Sequence, residues 1–237
     1  IDDEIKYAED SEMRSENFNF GHTLIDEGQD FKNSLYKTLM VMIKRNNENG
    51  GNSSLTVFAD DNQSISKNNS TLSEIREILN ASPSLNTYWR VDKNYRNTRE
   101  VAKFARYFQV LNSRSVSLPN RSGMKPIAFV SSKEDAELEQ ILQYCGNQND
   151  KEVGVLVFGK KDDVYQTYKK LNNKFAKYQQ ETGASSPYKV QAYISDKKYM
   201  LHRAENLVFD NPPTLTVINA QSAKGLEFDT VFVLNFG

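Results

Sequence analysis

Cysteine and histidine are almost absent from this chain, which has one cysteine and two histidines in 237 residues. A single cysteine, Cys145, excludes an intrachain disulfide and fits a reducing compartment, so we predict a cytoplasmic protein. A structural zinc site is built from about four cysteine and histidine ligands. Cys145, His22 and His202 are too few to build such a site.

Long apolar runs are also missing. A membrane helix needs roughly 20 consecutive apolar residues, and no run of that length occurs. The first residues are acidic and polar, unlike a signal peptide. We therefore expect no membrane partner. The chain begins with isoleucine rather than methionine, which fits an internal piece of a longer protein.

The net charge is close to zero, with 30 lysines and arginines against 31 acids and a pI of about 6.2. No global basic field draws such a chain to nucleic acid, so any such contact must come from a local patch. A composition with 38% hydrophobic and 26% charged residues is ordinary for a globular protein.

Short β-branched runs alternate with amphipathic stretches along the chain. Several runs are almost continuously apolar, which is typical of parallel strands covered on both faces. The predicted strands are 23–26, 55–60, 126–131, 153–158, 189–195, 214–219 and 230–236. The predicted helices are 98–111, 132–145 and 161–176. Strands alternating with helices predict an open α/β fold.

The helix predicted at 98–111 has a possible cap at Asn97 with Glu100 three residues later. Its apolar residues, which fall on one face, are Val101, Phe104, Ala105, Phe108 and Leu111. The loop at 80–86 is the preferred domain boundary, since it is rich in serine, proline and asparagine.

An acid pair, Asp26 and Glu27, directly follows the first predicted strand. Two adjacent acids at a buried strand end need a partner. A magnesium ion and a polarised water supply one, because one acid can hold the metal while the other accepts the water's proton. The alternative is a solvated acidic turn.

The second predicted strand ends in a polar loop that contains Asp60, Asp61 and Gln63. Ligands of doubly wound sheets bind at the carboxyl ends of strands, so this loop and the acid pair fit one ligand site. A glutamine at this place can sense a terminal phosphate or orient a water. Ordinary surface turns have the same composition.

Two further segments carry candidate ligand contacts. Tyr95 offers a ring for base stacking, and Arg96 can bind an anion at a strand–helix junction. Lys224, Gly225 and Glu227 lie between the last two predicted strands, where a small-residue run lets backbone approach a ligand. The alternatives are an ordinary helix entry and a simple loop.

The four segments together carry a family resemblance. DEGQD, ADDNQSI, NYRNT and AQSAKGLEFD resemble motifs II, III, IV and V of UvrD/Rep-like superfamily 1 helicases, and they occur in the family's order. The resemblance implies RecA-like parallel sheets flanked by helices in two domains. The first domain, residues 1–86, is incomplete, and the second comprises residues 87–237.

The resemblance also implies a role for each candidate residue. Asp26 holds the Mg²⁺ of ATP, and Glu27 is the general base on the attacking water. Gln63 contacts the γ-phosphate, Arg96 reaches it as an arginine finger, and Tyr95 stacks near the adenine.

In the fifth motif, Glu227 approaches the ribose, Gly225 gives the ligand access to the backbone, and Lys224 lies nearby. The implied activity is ATP-dependent movement on DNA, with single-stranded DNA and duplex junctions as partners.

The sequence departs from the family in four respects. No phosphate loop precedes the acid pair, and the one decoy, GVLVFGKK at 154–161, predicts a strand instead because its four intervening residues are apolar. Ser66 stands where many relatives carry a tyrosine that touches a DNA base. The arginine-bearing sixth motif does not follow the fifth, and the distance between the fourth and fifth leaves no room for a large inserted subdomain.

Two readings of function follow. The first is a segment of an ATP-dependent DNA helicase that does not hydrolyse ATP without its phosphate loop. The second is a non-catalytic helicase-like module that binds DNA or protein. A nuclease domain elsewhere in the parent protein is compatible with either reading.

Overall fold

The computed structural model describes residues 21–64, 66, 68–109, 117–133, 135–148, 152–183, 188–209 and 213–236. These residues form an α/β protein with parallel strands in two sheets flanked by helices. The chain divides into two compact units, the first ending at Ile127 and the second beginning at Ala128. These units are defined by the contacts within each of them. The boundary predicted at 86–87 separates two RecA-like domains, which is a different kind of division, and it stays a prediction.

The described residues of the first unit form a pair of parallel strands and three α-helices. The strands are β1 (His22–Ile25) and β2 (Ser54–Val57), and the helices are α1 (Asn33–Glu48), α2 (Leu72–Ile78) and α3 (Arg99–Ala105). Helix α2 starts with a capping box in which Thr71 and Glu74 exchange hydrogen bonds. Tyr36 of α1 and Ile75 of α2 are buried.

The second unit contains a four-stranded parallel sheet in the order β4-β5-β3-β6. Its elements are α4 (Ala136–Asn147), β3 (Val153–Val157), α5 (Lys161–Thr182), β4 (Lys189–Tyr193), β5 (Thr214–Asn219) and β6 (Thr230–Leu234). The central strands β3 and β5 bury side chains on both faces, as their near-continuous apolar sequences predict. Their valines pack with Ile141 of α4 and Leu171 of α5 in one core.

Six of the seven predicted strands are confirmed, with boundaries that differ by up to three residues. The prediction at 126–131 is wrong: these residues have no strand structure, and Ile127 and Val130 are 81% and 94% exposed. An alternating apolar pattern becomes a strand only where a neighbour pairs with its backbone. In the described part of the chain this segment has no such neighbour.

The helix predicted at 98–111 is shorter than expected and has a different cap. It starts at Arg99, and its N-cap is Thr98, whose hydroxyl accepts a hydrogen bond from the Val101 amide. Asn97, the predicted cap, does not cap the helix; its amide donates to the Asn94 side chain. Beyond Ala105 the chain continues as a 3₁₀ turn over 106–108. The predicted apolar face is not a core face, because Val101, Phe104 and Phe108 are exposed; Leu111 lies outside the described residues.

The other two predicted helices are confirmed with shifted boundaries, as α4 and α5. Helix α5 continues to Thr182 and ends at Gly183, which has a left-handed conformation typical of a helix C-terminus. Within the described ranges no helix is both long enough and apolar enough to cross a membrane.

Candidate functional site

The carboxyl ends of β1 and β2 meet at one edge of the sheet of the first unit. The register pairs Ile25 with Val57, so the loops that follow both strands begin side by side. The pairing continues beyond the strands, since the Phe58 amide donates to the Ile25 carbonyl and the Gly28 amide donates to the Phe58 carbonyl, both at 2.8 Å. The DEGQD and ADDNQ segments are therefore neighbours, as the sequence predicts.

Glu27 has a left-handed backbone conformation, with φ 53° and ψ 42°. For a residue that is not glycine this conformation costs roughly 1–2 kcal/mol and occurs where surrounding contacts impose it. Here the Asp26 carboxylate accepts the Glu27 amide at 2.8 Å, and the Glu27 carbonyl accepts the Asp30 amide at 2.8 Å. The turn leaves Asp26 exposed and Glu27 half-buried.

Gln29 connects the two loops. Its side-chain nitrogen donates to the Glu27 carboxylate at 2.5 Å, and its side-chain oxygen accepts the Asp60 amide at 2.9 Å. The side chain is fully buried, and a buried amide is stable only when its polar atoms are paired. Gln29 was not among the predicted site residues, although a glutamine two positions after an acid pair was visible in the sequence.

Gly28 makes the close approach of the two loops possible. A Cβ atom at this position would lie 2.4 Å from a Val57 methyl group and 2.9 Å from the Tyr36 hydroxyl. That hydroxyl donates to the Gly28 carbonyl at 2.5 Å. Burial, with a smaller contribution from the charge of Asp30, raises the pKa of Tyr36 to about 12, so the donor stays protonated at neutral pH.

The loop after β2 is fixed by its own aspartates. The Asp60 carboxylate accepts the Asn62 amide at 2.9 Å, and the Asp61 carboxylate accepts the Leu72 amide at 2.8 Å, at the start of α2. Gln63 is exposed, and its amide lies 3.4 Å from the second oxygen of the Asp60 carboxylate. Asp61 thus has a structural role, whereas Gln63 faces solvent on the loop that Gln29 holds.

Tyr95 and Arg96 lie in a turn before α3, in the same unit. The Asn94 side-chain oxygen accepts the amides of Arg96 and Asn97, both at 3.1 Å, and the Arg121 guanidinium donates to the Arg96 carbonyl. Tyr95 is 73% exposed, and Arg96 is also exposed. The backbone of this turn is therefore fixed while both side chains are accessible.

Lys224, Gly225 and Glu227 belong to the second unit and follow β5. The Asn219 side chain accepts the Ser222 amide at 2.7 Å and so starts the turn that carries them. Gly225 has φ 82°, a left-handed conformation that suits glycine. Lys224 is half-buried, and Gly225 and Glu227 are exposed.

The segment GVLVFGKK at 154–161, whose glycine spacing resembles a phosphate loop, is a strand followed by the start of a helix, as predicted. Residues 154–157 belong to β3, and a Cβ atom at Gly154 would lie 2.6 Å from the Phe228 ring, so the glycine is explained by packing. The Lys161 ammonium donates to the Ser195 carbonyl at 2.8 Å and lies 3.6 Å from Asp196. Strand amides that pair with neighbouring strands cannot cradle a phosphate.

Asp26 could contribute one ligand to a magnesium ion that is also held by substrate phosphates. Mg²⁺ in nucleotide sites is typically bound by one or two carboxylates together with substrate phosphates, rather than by an all-protein cage. An exposed carboxylate at a strand end fits that pattern. Among the described residues no group of three or more histidine, cysteine, aspartate or glutamate side chains could hold a metal on its own.

Comparison with known proteins adds no family assignment: no protein-family model matches the sequence, and no curated protein shows significant similarity to it.

Proposed function

We propose that this chain is a segment of an ATP-dependent DNA helicase or translocase of the UvrD/Rep-like type, with RecA-like domains. The observation that carries the proposal is the Gln29 bridge. It joins the carboxylate proposed as the general base to the loop that holds Gln63, the proposed phosphate sensor. A motor needs such a connection, because the state of the terminal phosphate must be communicated beyond the reaction site.

The acid pair divides the chemistry between two carboxylates. Asp26, which is exposed, would hold the Mg²⁺ that neutralises phosphate charge when ATP is bound. Glu27 would accept a proton from the attacking water, and its orientation is set by the Gln29 amide and by its left-handed backbone. The strained conformation aims the base, which is consistent with a functional position.

The roles proposed for the remaining candidate residues rest on the family resemblance. Arg96 would act as the arginine finger on the γ-phosphate, a role that can contribute about 10³–10⁵ in rate. Tyr95 would stack near the adenine. In the second unit, the resemblance assigns contact with a ribose to Glu227, in the turn where Lys224 lies nearby and Gly225 lets a ligand approach the backbone.

The test is ATP turnover by the natural full-length protein, with and without single-stranded DNA, over a range of Mg²⁺ concentrations. We expect turnover that DNA stimulates, and Asp26→Asn should raise the Mg²⁺ concentration required for half-maximal rate. Asp30→Asn, an exposed acid of the same loop, is the matched control and should leave that concentration unchanged. Absence of turnover under all conditions would favour the non-catalytic helicase-like module that binds DNA or protein.

A further inference from the structure

One surface of the first unit is strongly positive, although the net charge of the whole chain is close to zero. Residues 88–109 and 117–125, here called the basic–aromatic surface, contain eight lysines and arginines and two acids, a net charge of +6. Since the whole chain carries −1, the remaining residues carry −7. A concentration of positive charge in an otherwise acidic chain creates a local field that attracts polyanions.

The backbone holds the two segments of this surface together. The Ser117 amide donates to the Asp92 carbonyl at 2.6 Å, and the Arg99 amide donates to the Arg121 carbonyl at 2.7 Å. The Arg99 guanidinium donates to the carbonyls of two residues of the second segment, Pro119 and Asn120. Cations from both segments are therefore parts of one surface.

One of the two acids of the surface is engaged in holding it together. The Glu100 carboxylate accepts the Gly123 amide at 2.7 Å, and this hydrogen bond lowers the pKa of Glu100 below its usual range. The carboxylate thus joins α3 to the second segment.

Large aromatic rings are exposed between these cations. Trp89, which precedes Arg90, is 70% exposed, and Tyr107, one helical turn after Lys103, is 86% exposed. Rings of this size are usually at least half-buried in a folded unit. Tyr88 is less exposed, since the Arg76 guanidinium lies 4.2 Å above its ring.

Exposed rings between cations are the composition that binds single-stranded nucleic acid. Such proteins combine a positive path for phosphates with aromatic platforms on which unpaired bases stack. A duplex hides its base faces, so it would use the charges but not the rings. Tryptophan, tyrosine and arginine are also enriched in protein interfaces, so competition by an acidic polypeptide must separate a protein partner from nucleic acid.

We propose that the basic–aromatic surface binds single-stranded nucleic acid, with Trp89 and Tyr107 stacking on bases and Lys103 and Lys125 pairing with phosphates. The inference rests on the proposed function, because it names the surface through which a nucleic-acid motor would hold its strand. The surface includes Tyr95 and Arg96, but the four side chains proposed here to contact the strand are not among those assigned to the nucleotide site.

The experiment measures binding by the 237-residue chain without nucleotide. Trp89 is the only tryptophan, so stacking of a base on its ring is read directly as fluorescence quenching. Fluorescein-labelled oligo(dT), oligo(U) and a DNA duplex are compared by anisotropy over a salt series, with polyglutamate as the competing polyanion. The variants are Trp89→Ala, Trp89→Phe and Lys103→Glu, and Lys44→Glu on α1 is the matched charge control. Circular dichroism confirms that each variant is folded.

We expect oligo(dT) or oligo(U) to quench Trp89, and Trp89→Ala to weaken binding by roughly tenfold while Trp89→Phe retains most of it. Lys103→Glu should reduce the salt slope by about 0.7 or more, whereas Lys44→Glu should not. The relative affinity of the two oligonucleotides then identifies DNA or RNA as the preferred strand. Equal competition by polyglutamate, tighter duplex binding, or Trp89→Ala and Lys103→Glu variants that bind as tightly as Lys44→Glu would overturn the proposal.

The two proposals fail separately. Binding of the oligonucleotide without ATP turnover in the full-length protein would support the proposed binding surface and contradict the proposed motor function. DNA-stimulated turnover that is unchanged in Trp89→Ala would support the proposed motor function and contradict the proposed binding surface.

Discussion

The side-chain amide of Gln29 donates to the carboxylate of Glu27 across 2.5 Å, inside a turn where Glu27 has a left-handed backbone. The other end of the same amide accepts the backbone amide of Asp60, so one buried side chain fixes both strand-end loops. This relationship fixes the orientation of Glu27, while Asp26 is exposed.

Gln29→Leu should destabilise the first unit by about 1–3 kcal/mol. The substitution keeps the volume but leaves the Asp60 amide and the inward side of Glu27 without their buried partner. Urea unfolding followed by far-ultraviolet circular dichroism measures the effect. Gln63→Leu is the control: this glutamine is exposed and its loss should change stability by less than about 0.5 kcal/mol. Equal effects of the two substitutions would contradict the bridge.

Gly28→Ala should cost more than an ordinary surface substitution, because the added methyl group would lie 2.4 Å from a Val57 methyl group. We expect a loss of about 1–3 kcal/mol in urea unfolding. The double variant Gly28→Ala, Val57→Ala should be less destabilised than the sum of the single variants, since removing the Val57 methyl groups relieves the contact. Strict additivity would show that the two side chains do not meet.

Some strands could be predicted from the sequence with their boundaries, and one predicted strand is absent from the structure. The strand predicted at 214–219 is β5, with the same boundaries. A short β-branched run between polar loops favours a strand, because it is too short for a typical helix. Residues 126–131 have a similar pattern but no strand, since pairing depends on a neighbour that local sequence does not identify.

The candidate site was predicted to the level of loops but not of contacts. The strand-end positions of Asp26, Glu27 and Gln63 follow from the strands. The left-handed backbone of Glu27 and the Gln29 bridge depend on the register that pairs Ile25 with Val57. Register depends on the hydrophobic pattern of both strands and on the geometry of the turn that joins them. Here β1 and β2 are joined through α1, so no short turn fixes their register.

His202 should make the stability of the second unit depend on pH. Its ring packs 4.7 Å from Tyr168 and 5.7 Å from Tyr165, and burial lowers its pKa below the usual 6.5. Between the lowered pKa and 6.5 the unfolded chain binds more protons than the folded one, so stability falls as the pH decreases through this window.

The measurement is thermal unfolding from pH 7.5 to 5.5, followed by far-ultraviolet circular dichroism. His202→Gln should remove the part of the pH dependence that begins near 6.5, and His22→Gln, an exposed histidine of the first unit, should not. An unchanged profile in His202→Gln would assign the dependence to other groups.

Arg96→Ala in the full-length protein should lower ATP turnover far more than ATP affinity, by a factor on the order of 10³–10⁵ in rate. A finger stabilises charge that develops in the transition state, so its loss appears in kcat rather than in binding. Arg96→Lys should recover little, because lysine lacks the planar fork that binds two phosphate oxygens. Parallel losses of turnover and affinity would instead assign Arg96 to ground-state binding.

The central claim is that Glu27 is the base of an ATP-hydrolysing motor, and the most direct test is Glu27→Gln in the natural full-length protein. ATP affinity, measured by equilibrium binding, and turnover, measured with saturating single-stranded DNA, are compared with the wild type. Glutamine keeps the size of the side chain and removes the proton acceptor, so we predict unchanged affinity and nearly abolished turnover. Turnover at the wild-type rate in Glu27→Gln would contradict the claim.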